Sequence, residues 1–169
     1  LHWAPGLCRL PLRGGQHLSR AEGAAHDGKL FLLWAQDIDA YAKAVGWIDR
    51  APPTEQAQIT GRLGPDVAQV LVKESFAAVP FTPGDPVHGQ PLHAAVRDGK
   101  PFRAGDAIGL FVMIQLASAR PGTDDGWIYG TVAPDGTVTS ASDVGACRDC
   151  HGARQNRLFG LPRPPALGM

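Results

Sequence analysis

The stretch AIGLFVMIQL, residues 107 to 116, decides the fold class of this chain. It is a dense run of branched and aromatic apolar residues, which is typical of a buried β-strand. Its apolar centre, 108–114, is far too short to cross a bilayer, which takes about 20 residues. Two further runs, LFLLW at 30–34 and VAQVLVKESF at 67–76, also predict strands. In the latter, strand alternation puts Leu71 and Lys73 on one face.

Turns and short helices are predicted around these strands. Pro134-Asp135-Gly136 lies between strands expected at 127–132 and 136–139, which indicates a hairpin. Helices are expected at 37–46 and 54–63. Ser142-Asp143 can cap a last helix that carries the sequence CRDCH. The proline-rich residues 80–106 are expected to form a long loop.

Composition narrows the class of protein further. The 169 residues predict one domain, and the 16 basic and 16 acidic residues cancel, which gives no reason to expect nucleic acid as a partner. The 21 glycines and 15 prolines suit a loop-rich β or α+β domain better than a helical bundle. The N-terminal residues lack the apolar core of a signal peptide, so we expect a mature or trimmed N-terminus.

The motif CRDCH, residues 147 to 151, is the strongest functional signal. Cys-x-x-Cys-His is the pattern that attaches a c-type haem, because both thiols lie on one helical turn and the adjacent His can bind the iron. A disulfide or half of a zinc site are the alternatives. Because no Cys or His follows His151, the zinc alternative lacks nearby ligands. The third cysteine, Cys8, is expected to be a small buried residue, a free thiol or part of a lipid-attachment region.

The sixth iron ligand is not fixed by the sequence. Electron carriers commonly use Met at this position, and the chain has only Met113 and Met169. Met113 lies in the apolar strand, where core packing is the expected role, and Met169 is the last residue. The remaining histidines lie in Gly/Pro-rich contexts. An open sixth position is therefore expected, which favours binding of a small ligand. These histidines are His2, His17, His26, His88 and His93.

Several stretches in order resemble the cytochrome P-460 family, which includes the cytochrome c′-beta proteins. They are KLFLLWAQDIDAYAKA, QVLVKES, DGWIYGTVAPDGTVTSASDVGACRDCH and NRLFGLP. The resemblance covers residues 28 to 162. It separates the chain into an irregular segment at 1–27, a haem domain at 28–162 and a proline-rich tail at 163–169.

The resemblance implies an α+β fold: a predominantly antiparallel β-sheet with a few short helices, and CxxCH on a C-terminal helix. It implies one covalent haem c held by Cys147 and Cys150, with His151 as axial ligand. It also implies a homodimer in the periplasm. In P-460 members a Lys in the Val-Lys-Glu stretch is bonded to the porphyrin, and the matching residue is Lys73. A solvated strand-edge Lys is the alternative.

The family also suggests what the open side of the iron would contact. P-460 members oxidise hydroxylamine and can use a distal carboxylate as proton acceptor, whereas Phe111 stands at the matching position here. An aromatic side chain at this position offers no base, so it favours gas binding, or another residue must accept the proton. The alternative is that Phe111 only packs in the core. Asn156 replaces an expected Asp, which predicts a changed hydrogen bond near the ligand. The other polar candidates are Glu74, Arg103 and Asp106, with Arg148 and Arg154 as candidate partners of the haem propionates.

The sequence thus predicts a haem protein that acts on a small nitrogen ligand, with hydroxylamine oxidation as the preferred function and a redox partner protein. Whether the chain is an enzyme stays open, because non-catalytic nitric oxide binding and electron transfer with a sixth ligand are the alternatives. A low-spin spectrum would favour electron transfer.

Overall fold

A computed structural model describes residues 8–9, 17–18, 28–46, 65–82, 94–142 and 145–159. Within these residues a single sheet dominates, accompanied by short helices. The strands are β1 (Cys8–Arg9), β2 (His17–Leu18), β3 (Lys29–Ala35), β4 (Val67–Pro80), β5 (Ala94–Arg97), β6 (Lys100–Leu116), β7 (Trp127–Val132) and β8 (Val138–Ser142). The helices are α1 (Ile38–Ala44), α2 (Gly145–His151) and a 3₁₀ turn at Gln155–Arg157.

Every strand pairs antiparallel with its neighbours, in the order β1-β3-β4-β6-β7-β8, with β2 on β3 and β5 on β6. The predicted architecture, mostly antiparallel sheet with few short helices, is confirmed. Strands β4 and β6 form the centre. Residues 69–72 of β4 are buried, whereas the apolar side chains of β6 are mostly half-buried and Ile108 is 39% exposed, so the strand predicted at 107–116 is present but is not fully buried. Among the described residues, no helix is long and apolar enough to cross a membrane.

The sheet has two apolar faces. On the face that we call the inner face, Ala35, Leu71 and Tyr129 are buried together with Tyr41 of α1. Cys147 of α2 packs against the same cluster. On the outer face, a second cluster forms around Val70 and Val72. The alternation of β4 residues between these clusters follows the two-residue period that the sequence predicted for Leu71 and Lys73.

Helix α1 is fixed at its start by one carboxylate and one buried amide. Asp37 Oδ1 accepts hydrogen bonds from the backbone N–H groups of Asp39 and Ala40, at 3.0 and 2.9 Å. Gln69, 4% exposed in β4, binds both backbone groups of Asp37 with its side-chain amide. The helix ends before Gly46, whose φ of 78° is the left-handed value that a helix end commonly requires. The prediction of a helix at 37–46 is confirmed.

The predicted loop at 80–106 is wrong for its second half. Residues 94–97 and 100–106 belong to β5 and β6, which a two-residue turn connects. Asp98 and Gly99 in this turn both have positive φ, 51° and 71°. Asp-Gly is the preferred pair for such a turn because it tolerates these angles, and this signal outweighs Pro101. The long β6 in turn pairs with β4 as far as Pro80. The helix predicted at 54–63 lies outside the described residues.

A bulge at the sheet centre depends on one glycine. Ser75 pairs with Gly109, but the next residue, Phe76, pairs with Ala107, so Ile108 is the extra residue. Gly109 has a φ of 135°, which side chains rarely adopt. A Cβ at this position would clash with the carbonyl oxygen of Val132 on β7. The close approach of β6 and β7 therefore requires glycine.

We expect Gly109→Ala to lower the free energy of unfolding by about 2–4 kcal/mol, since it adds both a backbone clash and a strained φ. Gly136→Ala is the matched control: Gly136 has a φ of 93° but open space around its Cα. Gly136→Ala should lower the free energy of unfolding by only about 1 kcal/mol, because it adds backbone strain without a clash. Urea unfolding of the two variants measures the difference. Equal losses would mean that β7 moves away without cost.

Candidate functional site

Helix α2 places both motif cysteines and His151 beside the inner face. Cys147 is half-buried against the cluster around Leu71 and Tyr129, whereas Cys150 is exposed. Neither thiol forms a disulfide. Burial, followed by the nearby Cys150, raises the pKa of the Cys147 thiol. The two thiols are thus separate groups on one helical turn, with one against the apolar sheet and one open to solvent.

The imidazole of His151 is held in one tautomer by a backbone carbonyl. Its Nδ1 lies 2.7 Å from the carbonyl oxygen of Arg157, and because a carbonyl only accepts, Nδ1 must carry the proton. The Nε2 lone pair is then the available metal ligand. The ring packs against Tyr129 and Phe159, with centroids 5.5 and 4.9 Å away. Burial lowers the pKa of His151, which favours the neutral form that binds a metal.

The Arg157 carbonyl is presented by a strained segment. Asn156 and Arg157 both have left-handed φ, 54° and 59°, which non-glycine residues rarely adopt. Two side-chain hydrogen bonds anchor the pair. Asn156 Nδ2 donates to the carbonyl of Ala44 at the end of α1, at 3.1 Å. Arg157 Nε donates to Asp124 Oδ2 at 3.0 Å. These two hydrogen bonds therefore stabilise the strained backbone next to the hydrogen bond that orients His151.

Asp124 is the buried anchor of this arrangement. It is 9% exposed, and its Oδ2 accepts hydrogen bonds from the Tyr129 hydroxyl at 2.7 Å and from Arg157. Burial alone would raise its pKa, but these hydrogen bonds and the Arg157 and Arg148 charges lower it below its ordinary value. The sequence alone does not predict this trio of Asp124, Tyr129 and Arg157. The Asp-Asp-Gly sequence at 124–126 indicates a turn, but it does not indicate which residue Asp124 binds. Asp124 and Arg157 are 33 residues apart, so no local pattern connects them.

Lys73 lies on the inner face, in register with Leu33 on β3 and Phe111 on β6. Its Nζ is 4.2 Å from the centre of the Phe31 ring. Burial, and then the positive charge of Lys29, lowers the pKa of Lys73 to about 7. Lys73 also contributes to the lowered pKa of His151. The amine is therefore largely uncharged in mildly alkaline solution.

Phe111 lies directly opposite Lys73, so the structure brings these two predicted site residues together. Lys29 Nζ approaches the Phe111 ring to 4.9 Å. Two amines and two aromatic rings thus share one patch of the inner face. Such cation–π contacts keep the charged form of a lysine tolerable beside apolar surface.

The remaining candidates lie elsewhere. Glu74 accepts a hydrogen bond from Trp34 at 3.2 Å and alternates to the outer face, away from Lys73. Met113 packs in the cluster where Tyr129 touches His151, which is a core role. Arg154 stacks on Phe159, 4.8 Å from the ring centre. Asp106 and Arg148 are exposed, and Arg103 is half-buried in β6, opposite Val79. Of the five histidines outside the motif, only the backbone of His17 is described.

The donor set fits a covalent haem c better than a bound zinc ion. Unpaired thiols, a neutral imidazole with a free Nε2 and an adjacent apolar surface are what the haem requires. In the part of the chain that the structure describes, no three His, Cys, Asp or Glu side chains are grouped to share a metal ion. No family model, curated protein or solved structure matches this chain.

Replacing the anchor carboxylate should destabilise the protein in a pH-dependent way. Above pH 3.8, the ordinary pKa of the unfolded carboxyl, the lowered folded pKa contributes stability, which is lost as the pH falls through the folded value. Asp124→Asn should therefore cost about 2 kcal/mol at pH 7, less than a fully buried pair because Arg157 reaches solvent. The cost should shrink as the pH falls below 3.8.

Asp66→Asn is the control for this experiment. Asp66 pairs with Arg120 at 3.1 Å, but the Asp66 side chain is 68% exposed. A surface pair of this kind contributes little, so its loss should change the free energy of unfolding by less than about 0.5 kcal/mol at pH 7. Chemical unfolding at pH 7 and pH 3 measures both variants. An Asp124→Asn variant as stable as Asp66→Asn at pH 7 would contradict the anchoring role.

Proposed function

We propose that this chain is a c-type haem protein that acts on a small nitrogen ligand, most specifically by catalysing the oxidation of hydroxylamine. The observation that carries the proposal is the tautomer of His151: Nδ1 is bound to the Arg157 carbonyl and Nε2 is free, one residue after two unpaired motif cysteines. The resemblance to the cytochrome P-460 family supports the same assignment. Cys147 and Cys150 would bind the haem vinyl groups, and His151 the iron.

When bound, haem c supplies an iron that coordinates a nitrogen ligand and accepts electrons from it. The core packing of Met113 supports an iron without Met113 as a ligand, and Met169 lies outside the described residues. Conversion of hydroxylamine to nitric oxide releases three protons and three electrons. The electrons require an external acceptor, which we propose to be a redox partner protein. The protons require a base, and Lys73, with a pKa lowered to about 7, is a suitable acceptor where its amine is free.

The same amine is suited to the cross-link that the resemblance predicts. Only an uncharged amine is nucleophilic, and burial keeps much of Lys73 in that form at neutral pH. A bond from Nζ to a ring carbon replaces one N–H and one C–H. It therefore releases two protons and two electrons, and needs a two-electron oxidant such as a peroxide. The cross-link stays a prediction, and a bonded Lys73 would tune the haem instead of accepting a proton.

Covalent attachment is the first test. Expressed where c-type haem is assembled, the wild-type protein should keep its haem through acid–acetone extraction, because thioether bonds survive it. Cys147→Ser combined with Cys150→Ser should lose at least about nine-tenths of the retained haem. Cys8→Ser, which removes the cysteine outside the motif, is the control and should retain it. A wild-type protein that releases all of its haem would refute the proposal.

The spectrum of the reduced protein tests the cross-link. A bonded Lys73 predicts a strongly red-shifted Soret band that Lys73→Ala restores to the ordinary c-type position. Lys29→Ala is the control, since Lys29 lies near Lys73 but outside the Val-Lys-Glu stretch. It should leave the red shift in place. An ordinary c-type spectrum in all three proteins would show that no cross-link forms.

Phe111 supports a second candidate, nitric oxide binding without turnover. Its ring lies in the same patch as Lys73 and carries no base. Hydroxylamine turnover with an artificial electron acceptor separates the two: nitric oxide binding without turnover would favour the second candidate. The periplasmic location, the homodimer and the extent of the haem domain, residues 28–162, stay predictions.

A further inference from the structure

A buried hydroxyl without a hydrogen-bond partner lies next to the patch formed by the amines of Lys29 and Lys73 and the rings of Phe31 and Phe111. Ser75 is 0% exposed, and its hydroxyl makes no hydrogen bond. Buried hydroxyl groups are almost always hydrogen-bonded, because an unpaired one costs about 1–3 kcal/mol. The hydroxyl therefore needs a partner that the chain does not supply. A bound molecule is the simplest such partner.

The register places this hydroxyl on the inner face. Leu71, Lys73 and Ser75 alternate onto that face along β4, and the bulge begins only after Ser75. Met113 pairs with both Leu71 and Tyr129, whose ring touches His151. Ser75 is four residues, or about 13 Å, from Leu71 along the strand. His151 and Ser75 therefore lie over opposite ends of one stretch of sheet, with Lys73 between them.

The neighbours of Ser75 across the sheet offer its hydroxyl no hydrogen-bond partner. Its neighbour on β6 is Gly109, which has no side chain and cannot carry one. Its neighbour on β3 is Phe31. Lys29, opposite Ala77, reaches the Phe111 ring, so this contact runs diagonally across β4 past Ser75. The hydroxyl thus lies beneath the lysine and aromatic side chains of this patch.

We propose that the Ser75 hydroxyl donates a hydrogen bond to the oxygen atom of a small nitrogen ligand, nitric oxide or hydroxylamine, held on the side of Lys73 away from His151. The inference rests on the proposed function, since it requires a haem held by His151. It deepens that function: the ligand site is not purely apolar, despite Phe111, and favours a ligand whose oxygen accepts a hydrogen bond.

The experiment uses the haem-loaded, reduced protein with nitric oxide as the probe. Relative to wild type, Ser75→Ala should release nitric oxide about three- to tenfold faster, the factor expected from one lost hydrogen bond. The N–O stretching band should also move to higher wavenumber, because a donor to the oxygen weakens the N–O bond. Without ligand, the variant should be at least as thermally stable as wild type, since it removes an unpaired buried group.

Ser140→Ala is the matched control. Ser140 lies in register with Thr131, which pairs with Phe111, but its hydroxyl is already bonded to Thr131 Oγ1 at 2.7 Å. It should leave the N–O band and the release rate unchanged. A Ser75→Ala protein with the wild-type band and release rate would overturn the inference, and would mean that a buried water satisfies the hydroxyl.

The two proposals fail in different ways. A wild-type protein without covalent haem overturns the proposed function, and the inference with it. A haem-loaded protein that binds nitric oxide, but does not respond to Ser75→Ala, overturns the inference alone. A haem-loaded protein that binds no nitric oxide removes the ligand site, and so overturns both the inference and the nitrogen-ligand part of the function.

Discussion

The hydrogen bond from His151 to the carbonyl of Arg157 is the interaction on which the site depends. It fixes the proton on Nδ1 and leaves Nε2 as the ligand atom. The carbonyl is in position only because Asn156 and Arg157 adopt left-handed backbone angles. Those angles persist because the side chains of both residues are bound, one to α1 and one to Asp124. The orientation of one imidazole thus connects both helices, the 3₁₀ turn and the start of β7.

The inner face of the sheet carries side chains in rows that run across the strands, some rows apolar and others polar. One row, with Leu71 and Tyr129, is buried core beneath His151. The adjoining rows hold amines over aromatic rings and the unpaired hydroxyl of Ser75. Desolvating an amine and leaving a hydroxyl unpaired both cost stability. Such costs concentrate where a protein binds something, because the groups find their partners only in the bound state.

Part of the fold and of the site follows directly from the sequence. The strands at 30–34 and 107–116, the helix at 37–46 and the hairpin after Trp127 are all local patterns of hydrophobicity, capping and turn residues. Local patterns also place Leu71 and Lys73 on one face. The error at 80–106 is local too: its five prolines favour a loop, whereas the Asp98-Gly99 turn closes the hairpin of β5 and β6.

The sequence by itself determined the motif Cys147-x-x-Cys150-His151 and the strand alternation that surrounds it. Only the tertiary structure decided what holds His151, and which residues accompany Lys73. Asp124 meets Arg157 across 33 residues, and Phe111 meets Lys73 through the register of β4 with β6. The physical reason is that the packing of the whole sheet sets the register of its strands and brings distant segments of the chain together. A spacing in the sequence reports only contacts within one element, whereas hydrogen bonds between distant residues exist only after folding.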